Sequence, residues 1–495
     1  MLIVGAGLSG VGAAVHLQRE LPHKSYVILE AREAIGGTWD LFRYPGIRSD
    51  SDMFTLGYSF KPWKAAKAIA DGSSIRAYIR ETASEYGVEE QIRFGHRVVR
   101  AEWDSESALW TVTAELVGSQ PARQVQFTAS FVHACSGYYR YDEGYTPAFQ
   151  GTERFRGRIV HPQHWPEDLD YAGKRVIVIG SGATAVTLVP AMAAEAAHVT
   201  MLQRSPTYIV SLPGVDPLVQ WALRRLPRKL AWELARWKAI GLTAFSYQLS
   251  RRRPEVLKAF LRRALKRQLP EGYDIDTHFK PRYNPWDQRL CVVPDGDLFK
   301  AIRRGEASVV TDHIDTFTET GIRLASGREL EADVVVTATG LNLQMLGGTQ
   351  LIVDGREVKP SETVAYKGMM FSGIPNAALS VGYTNASWTL KCDLICEYVC
   401  RLLAYMDEHG YAYCVPVEPP AGEPREPLID FSSGYVLRAL DELPKQGLRP
   451  PWRLHQNYIR DIRLFRRSPL EDEGMRFYRA ARSRQPEPEP ELAAA

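Results

Sequence analysis

Short apolar runs that end in glycine or a polar residue predict the first strands of this chain. Met1-Leu-Ile-Val4 leads directly into Gly5-Ala-Gly7-Leu-Ser-Gly10, and residues 11–20 have the pattern of a helix. A second run, Val27-Ile-Leu29, ends at Glu30. A buried strand, a glycine-rich turn, a helix and a second strand in this order predict a βαβ unit with a parallel sheet.

The glycines and the acid of this unit have the spacing of a dinucleotide-binding site. Gly5 permits a tight turn, Gly7 lets the backbone approach a pyrophosphate, and Gly10 allows the helix to pack closely on the strand. Phosphates would lie at the helix N-terminus, where free N–H groups favour negative charge. Glu30 lies roughly 20 residues beyond the turn, where a carboxylate binds ribose hydroxyls. Only four residues precede Gly5, which favours a natural start further upstream.

A second unit repeats this pattern with one change. The strand Arg175-Val-Ile-Val-Ile179 precedes Gly180 and Gly182, and Ala185 takes the third, packing position. The next strand ends in Gln203-Arg204 instead of an acid. Because arginine pairs with a 2′-phosphate that a carboxylate would repel, we expect FAD at the first site and NADPH at the second. A solvated arginine at a strand end is the simpler alternative for Arg204.

The predicted fold is α/β, with two Rossmann-like dinucleotide-binding domains. Residues 97–134 alternate as in a small antiparallel layer, and residues 332–340 read as an acid, a strand and Ala-Thr-Gly340. Such a pattern marks the return of the chain between domains, with the glycine near flavin or nicotinamide. The predicted divisions are 1–144 (FAD-binding, first part), 145–334 (NADPH-binding, with a helical insertion at about 215–272), 335–480 (FAD-domain return and C-terminal part) and 481–495 (a disordered tail).

Composition agrees with a multidomain globular protein. The chain has 495 residues, of which 45% are hydrophobic and 24% charged. A net charge of +3 gives no support for nucleic acid as a partner. No run reaches the roughly 20 apolar residues of a membrane span, and the chain opens on a strand pattern instead of a secretion signal, so we expect a cytoplasmic protein.

The six cysteines and the histidines give no redox or metal motif. No Cys-x-x-Cys pair is present, which argues against a flavoprotein with a redox-active dithiol. Cys392, Cys396 and Cys400 recur every four residues and are expected to be small core residues on one helix face. His161 and His164 have no nearby acid or thiol to complete a zinc site, so no metal is predicted.

Residues 221–268 form a basic region. They contain 14 Lys or Arg and 2 acids, with Trp221, Trp232, Trp237 and Phe245 at helical spacing. Peripheral attachment to anionic lipid is one interpretation. A helical cap over an active-site cleft or an oligomer contact is the simpler one, and we favour it here.

The segment between the two units contains a family signature. Phe155-Arg-Gly157-Arg-Ile-Val-His161-Pro-Gln-His-Trp165-Pro166 matches F-x-G-x-x-x-H-x-x-x-W-P at every specified position. Gly36-Gly37-Thr-Trp39, Arg43 to Asp50 and Asn284 to Arg289 occur in the order that this family shows. On these residues the chain resembles the type I Baeyer–Villiger monooxygenases over nearly its whole length, and its sequence is very similar to that of a mycobacterial member.

This resemblance implies a reaction and a set of site residues. NADPH would reduce FAD, and O₂ would convert a ketone to an ester or lactone through a C4a-peroxyflavin. Sulfur in thioethers or thioamides would be a second target. Arg289 would be the active-site cation, Asp50 the acid that holds it, and His161 a linker residue that couples NADP⁺ position to the domains. Gly37, Trp39 and Gly340 would join the cofactor contacts.

One departure and two alternatives accompany the resemblance. Many relatives have lysine just before the arginine, whereas this chain has Gln288, so NADPH preference would rest more heavily on Arg204. A flavin N- or S-monooxygenase uses the same fold, although the longer signature and the Asp50–Arg289 pair favour carbonyl chemistry. The rival of a different class is a non-catalytic flavoprotein at a membrane surface.

Overall fold

The computed structural model describes residues 1–429 and 431–480, so the tail predicted at 481–495 lies outside the described residues. The strands, β1 to β28 in chain order, are Leu2–Val4, Val27–Leu29, Ile92–Arg93, His96–Asp104, Leu109–Leu116, Gln124–Ala129, Val132–Ala134, Tyr139–Gly144, Arg158–Val160, Arg175–Ile179, His198–Gln203, Ile209–Leu212, Cys291–Pro294, Ala307–Thr311, Ile314–Phe317, Gly321–Leu324, Glu329–Glu331, Val334–Thr337, Leu341–Leu343, Gln350–Val353, Arg356–Val358, Ala365–Tyr366, Met370–Phe371, Ala377–Leu379, Tyr413–Pro416, Glu426–Pro427, Lys445–Gln446 and Met475–Tyr478.

The α-helices are numbered in the same way. In chain order α1 to α13 are Leu8–Glu20, Thr38–Leu41, Met53–Leu56, Gly72–Glu85, Ala183–Met192, Pro217–Arg225, Arg228–Arg252, Pro254–Gln268, Ile275–His278, Asp297–Arg303, Trp388–His409, Gly434–Leu437 and Tyr458–Arg467.

Two five-stranded parallel sheets carry the two glycine-rich turns. The first has the order β24-β7-β1-β2-β3, with β1 between β2 and β7, and the second has the order β14-β11-β10-β18-β9, with β10 between β11 and β18. In both sheets the strand before the glycine turn is central, which buries it on both sides and explains its continuous apolar run. The α/β fold with two Rossmann-like units is confirmed.

The structure also contains a third five-stranded sheet and a two-stranded link between the parallel sheets. The antiparallel strands β4, β5 and β6 pair in sequence, and β20 and β21 extend their sheet, which contains the buried pair Trp103 and Trp110. Strands β8 and β19 pair antiparallel where the chain crosses between the two parallel sheets. The crossover therefore consists of two adjacent strands instead of a flexible tether.

The basic region folds as the three helices α6, α7 and α8. Helix α7 buries Ala231, Trp232, Ala235 and Ile240 against the rest of the molecule. In residues 1–429 and 431–480 no helix is long and apolar enough to cross a membrane. All six cysteines are buried thiols.

Candidate active site

One cavity of about 1110 Å³ extends across both parallel sheets. It is lined by the two glycine turns and by side chains from the loops between them. Of the residues predicted from sequence it includes Gly5, Gly7, Glu30, Gly37, Trp39, Asp50, Gly180, Gly182, Arg204, Arg289 and Gly340. Its position outside the carboxyl ends of parallel strands is typical of ligand sites in α/β proteins.

The first glycine turn leaves a helix N-terminus open to the cavity. Gly5 has φ +101°, and a Cβ there would lie 2.8 Å from the Cys135 carbonyl oxygen. A Cβ on Gly10 would lie 1.8 Å from the Gly5 carbonyl oxygen, so α1 packs directly on the turn. Gly7 is the N-cap of α1, and no side chain caps the helix. The free N–H groups and the missing side chain of Gly7 fit a pyrophosphate.

Glu30 and the Gly36-Gly37 turn lie next to the first glycine turn and line the same part of the cavity. The buried Glu30 carboxylate accepts hydrogen bonds from the N–H of Ala6 (2.6 Å) and of Arg32 (2.8 Å). Burial raises the pKa of Glu30, and these two hydrogen bonds oppose the shift. Gly37 has φ +55°, and a Cβ there would lie 3.0 Å from the Gly7 Cα. The turn before Trp39 therefore packs directly on the start of α1, and Gly7 and Gly37 both line the cavity.

The second glycine turn has the same construction. Gly180 has φ +137°, and a Cβ there would lie 2.3 Å from the Ala338 carbonyl oxygen. Gly182 is the uncapped N-cap of α5, and a Cβ on it would meet nothing within 4 Å. Ala185 is fully buried. The open space in front of Gly182 fits a second dinucleotide.

The two residues at the end of β11 have different surroundings, since Gln203 is buried and Arg204 lines the cavity. Gln203 is buried, and its amide donates to the His278 carbonyl and to Thr311 Oγ1, each at 2.8 Å. Arg204 is exposed and lines the cavity. This arrangement leaves the guanidinium available to an anion, in keeping with the predicted contact to a 2′-phosphate.

Asp50 and Arg289 lie next to each other in the wall of the cavity. Arg289 Nε lies 3.8 Å from Asp50 Oδ2, with the arginine side chain 40% exposed and the aspartate 13%. Burial raises the pKa of Asp50, opposed by Arg289 and Arg48. Burial acts against the charge of Arg289 as well, but Asp50 and the nearby tyrosine hydroxyls together outweigh it, so the pKa of Arg289 is raised. The arginine is therefore a fixed cation that still faces the cavity.

An aromatic group beside Arg289 was missed by the sequence analysis. The Tyr138 and Tyr139 hydroxyls lie 3.0 Å apart, and the Tyr138 ring stacks on Trp388 with centroids 5.0 Å apart. Trp388 Nε1 donates to Ser9 Oγ at 2.9 Å. All three aromatic residues line the cavity, as does Tyr435. Tyr138 and Tyr139 closely follow β7, and that position at a strand end was a usable signal.

His161 lies at the crossover and is not among the residues that line the cavity. Its Nδ1 accepts from the Gln163 N–H, and its Nε2 donates to the Gly340 carbonyl, both at 3.2 Å. A Cβ on Gly144 would lie 1.9 Å from the His161 ring. Burial lowers the pKa of His161, and its bond to Gly340 opposes the shift. The neutral ring thus fastens Gly340 and β8 together, which suits positioning and not proton transfer at the cavity.

Metal ligands do not assemble in the described part of the chain, where no group of three or more His, Cys, Asp or Glu is placed to hold an ion.

Comparison with known families and proteins gives consistent matches. The model of the flavin-binding monooxygenase-like family matches residues 65–381, and that of an NAD(P)-binding Rossmann-like domain matches residues 3–68. The FAD-containing monooxygenase EthA of Mycobacterium tuberculosis is 58% identical over 478 residues, 96% of this chain and 97% of the relative. The probable FAD-binding monooxygenase AlmA of Acinetobacter baylyi is 49% identical over 96% of this chain and 95% of its own.

A solved structure shares the whole architecture. An oxidized steroid monooxygenase bound to NADP superposes with a TM-score of 0.74 at 22% identity, covering 97% of this chain and 99% of that one. At this identity the likeness concerns the fold.

Proposed function

The chain belongs to the flavin-binding monooxygenase-like family, and from that premise we propose that it is an FAD- and NADPH-dependent Baeyer–Villiger monooxygenase. It would convert ketones to esters or lactones with O₂. The observation that carries the proposal is one cavity that contains two open glycine turns and the Asp50–Arg289 pair. The predictions of a flavoprotein monooxygenase, of its cofactors and of a close mycobacterial relative are confirmed at the level of the family.

The two cofactors would occupy opposite sides of the cavity. Gly5, Gly7, Gly10, Glu30, Gly37, Trp39 and Asp50 would hold FAD, and Gly180, Gly182, Ala185, Arg204 and Gly340 would hold NADPH. When bound, FAD reduced by NADPH supplies the electrons and the site at which O₂ is activated. Each uncapped helix N-terminus would receive one pyrophosphate.

Arg289 would stabilise the negative charge that develops on oxygen when the ketone carbon is attacked. A fixed cation beside this oxygen is effective because it needs no reorganisation as charge appears. Asp50 would orient the guanidinium, since its Oδ2 lies 3.8 Å from Arg289 Nε. His161 would act through Gly340, keeping the crossover strands and the NADPH side of the cavity in place.

The test is the variant Arg289→Ala, assayed for NADPH consumption and for ester formation with a panel of ketones. We expect ester formation to fall roughly 10²–10³-fold, the usual effect of removing a preorganised stabiliser, with FAD content unchanged. Asp50→Ala should lose less because the cation remains. Ester formation by Arg289→Ala at the parental rate would refute the active site. A thioether in place of the ketone tests sulfur oxidation in the same assay.

We also propose peripheral contact with anionic membranes through α6 to α8. Helix α7 has a second apolar stripe opposite its buried face, formed by Leu230, Leu234, Trp237 and Phe245, each 45–64% exposed. Trp221 and Phe260 are 56% and 65% exposed on the neighbouring helices. An exposed apolar stripe amid basic side chains is the composition of an interfacial helix.

Vesicle flotation tests this contact. The protein should float with phosphatidylcholine vesicles that contain phosphatidylglycerol, and not with phosphatidylcholine alone. Trp237→Ser with Phe245→Ser should abolish flotation and leave NADPH oxidation in solution unchanged. If the protein instead forms a dimer that this double variant disrupts, with no flotation, the stripe is an oligomer contact.

A further inference from the structure

Helix α7 contacts the segment that follows Asp50 and the loop that leads to Arg289. It belongs to the basic region on the NADPH side of the fold, but its buried face touches the FAD side. Two of its side chains, Arg236 and Ser250, are 6% and 2% exposed, and neither lines the cavity. Their hydrogen bonds lead to the two segments that carry Asp50 and Arg289.

Arg236 fastens the Asp50 side. Its Nη1 donates to the carbonyls of Phe54 and Gly57, each at 2.9 Å, so it caps the C-terminal end of α3. Helix α3 begins three residues after Asp50, and Asp52 caps its N-terminus by accepting from the Thr55 N–H. A cation at the carbonyl end suits the helix dipole. Displacement of Arg236 would therefore displace α3 and the chain that leads back to Asp50.

A buried charge network holds Arg236 in turn. Its Nη2 lies 3.5 Å from Asp393 Oδ2 on α11, and Asp393 Oδ1 lies 3.1 Å from His16 Nε2 on α1. The Ser59 N–H donates to Asp393 Oδ2 at 2.8 Å. Burial acts against the Asp393 carboxylate, but His16 and Arg236 outweigh it, so the pKa of Asp393 is lowered. Helices α1 and α11 thus both contact the network that holds Arg236.

Ser250 fastens the Arg289 side. Its hydroxyl donates to the carbonyl of Pro285, in the loop that ends at Arg289. Tyr247 and Trp286 meet edge to face with centroids 6.0 Å apart, and Arg251 Nη1 donates to Asp287 Oδ1 at 3.2 Å. Trp286 has φ +70°, a conformation that tertiary contacts must hold. The C-terminal turns of α7 supply those contacts.

We propose that Arg236 and Ser250 are positioning residues and that α7 is the strut that sets the separation of Asp50 and Arg289. The two anchors are 14 residues apart on one continuous helix, about 21 Å at 1.5 Å per residue. This inference rests on the proposed function for its catalytic consequence. Because no direct hydrogen bond joins the pair at 3.8 Å, its geometry depends on the segments that carry it.

The decisive variant is Ser250→Ala, with Ser246→Ala as its matched control. Ser246 lies one turn earlier on α7, and its hydroxyl bonds the Thr243 carbonyl of the same helix. We expect Ser250→Ala to keep its FAD and its KM for NADPH. Its kcat for oxygenated product should fall about 10- to 100-fold, as small misplacements of reacting groups do. Hydrogen peroxide should replace the lost product, and Ser246→Ala should match the parent.

Arg236 is tested by Arg236→Met together with Arg236→Lys. Loss of the cation leaves Asp393 without one partner, so Arg236→Met is also made with Asp393→Asn to remove the unpaired charge. Product per NADPH should fall in both methionine variants and recover in part with lysine. Coupling equal to the parent in Ser250→Ala and in the folded Arg236 variants would overturn the proposal, even if thermal stability falls.

Hydrogen–deuterium exchange separates this proposal from the proposed function. Ser250→Ala should speed exchange in residues 284–289, and the Arg236 variants should speed it in residues 53–57, whether or not any ketone is oxidised. If the parent oxygenates nothing and these segments still respond, the strut stands and the catalytic assignment fails. Unchanged exchange in both segments overturns the strut.

Discussion

The two glycine turns of this chain have similar backbone geometry. They differ at the third position of the motif and at the end of the strand that follows. Gly5 and Gly180 both have a positive φ, and a Cβ at either position would collide with the carbonyl oxygen of the residue that follows a neighbouring strand, Cys135 or Ala338. The third position differs. A Cβ on Gly10 would collide with the Gly5 carbonyl, whereas the real Cβ of Ala185 is accommodated. Helix α1 therefore lies closer to its turn than α5 does.

Glu30 and Arg204, which follow the second strand of each unit, differ in burial and hydrogen bonding as well as in charge. Glu30 is buried and bonded to two backbone N–H groups, so it belongs to the framework of its turn. Arg204 is exposed at the cavity, and the buried Gln203 beside it does the structural work. In the proposed assignment, ligand selection and folding would share Glu30 on the FAD side. On the NADPH side Arg204 and Gln203 would separate the two tasks, so we expect that preference to be the easier of the two to change.

The largest effect is expected from Gly10→Ala. A Cβ 1.8 Å from a backbone oxygen forces α1 away from the turn, and overpacking of this kind commonly costs about 1–3 kcal/mol, more where backbone must move. We expect little soluble, flavin-loaded protein. The measurement is the ratio of flavin to protein absorbance. In the parent, denaturation and filtration should release the flavin as FAD, which identifies it as non-covalently bound. Full flavin content in Gly10→Ala would contradict the close packing.

Sequence predicted those parts of the fold that depend on local pattern. The two βαβ units follow from apolar runs and glycine spacing, and the antiparallel layer β4–β6 follows from alternation in the segment predicted at 97–134. The end of that segment was assigned wrongly, because β7 pairs parallel with β1 in the first parallel sheet. Of the predicted residues, Glu30, Arg204, Asp50, Arg289 and all the glycines except Gly10 line one cavity, but their roles stay predictions. The domain divisions stay predictions too.

The remaining features depend on contacts between distant segments, which a sequence pattern does not encode. Trp388 reaches Ser9 across 379 positions of sequence, and Arg236 reaches Phe54 across 182. Within the basic region Arg236 resembles every other arginine in sequence, although it is buried and the others are exposed or partly exposed. The helical spacing of the aromatic residues predicted helices in this region, but which residues of α7 are buried depends on the fold.

A smaller and more selective effect is expected from Arg204→Ala. If the guanidinium pairs with a 2′-phosphate, its loss should weaken NADPH binding by the ~1.5–3 kcal/mol of a hydrogen bond to a charged group and leave NADH nearly unchanged. Arg204→Lys should recover only part, since lysine lacks the bidentate geometry. The measurement is the KM for each nucleotide in steady-state oxidation. Equal losses for NADPH and NADH would show that Arg204 supports the site instead of selecting the ligand.

The smallest effect is expected from Ala185→Gly, which makes the second turn resemble the first in composition. The missing methyl relieves no collision, because α5 already accommodates it, and glycine within a helix costs roughly 0.5–1 kcal/mol relative to alanine. Thermal unfolding should therefore move slightly downward, with FAD content and the KM for NADPH as in the parent. The exchange is the reciprocal of Gly10→Ala and uses the same two side chains. If the two variants lost similar stability, the third positions would be equivalent and the closer approach of α1 would carry no cost. If only one of the two variants lost much stability, the two sites would differ in the distance between helix and turn.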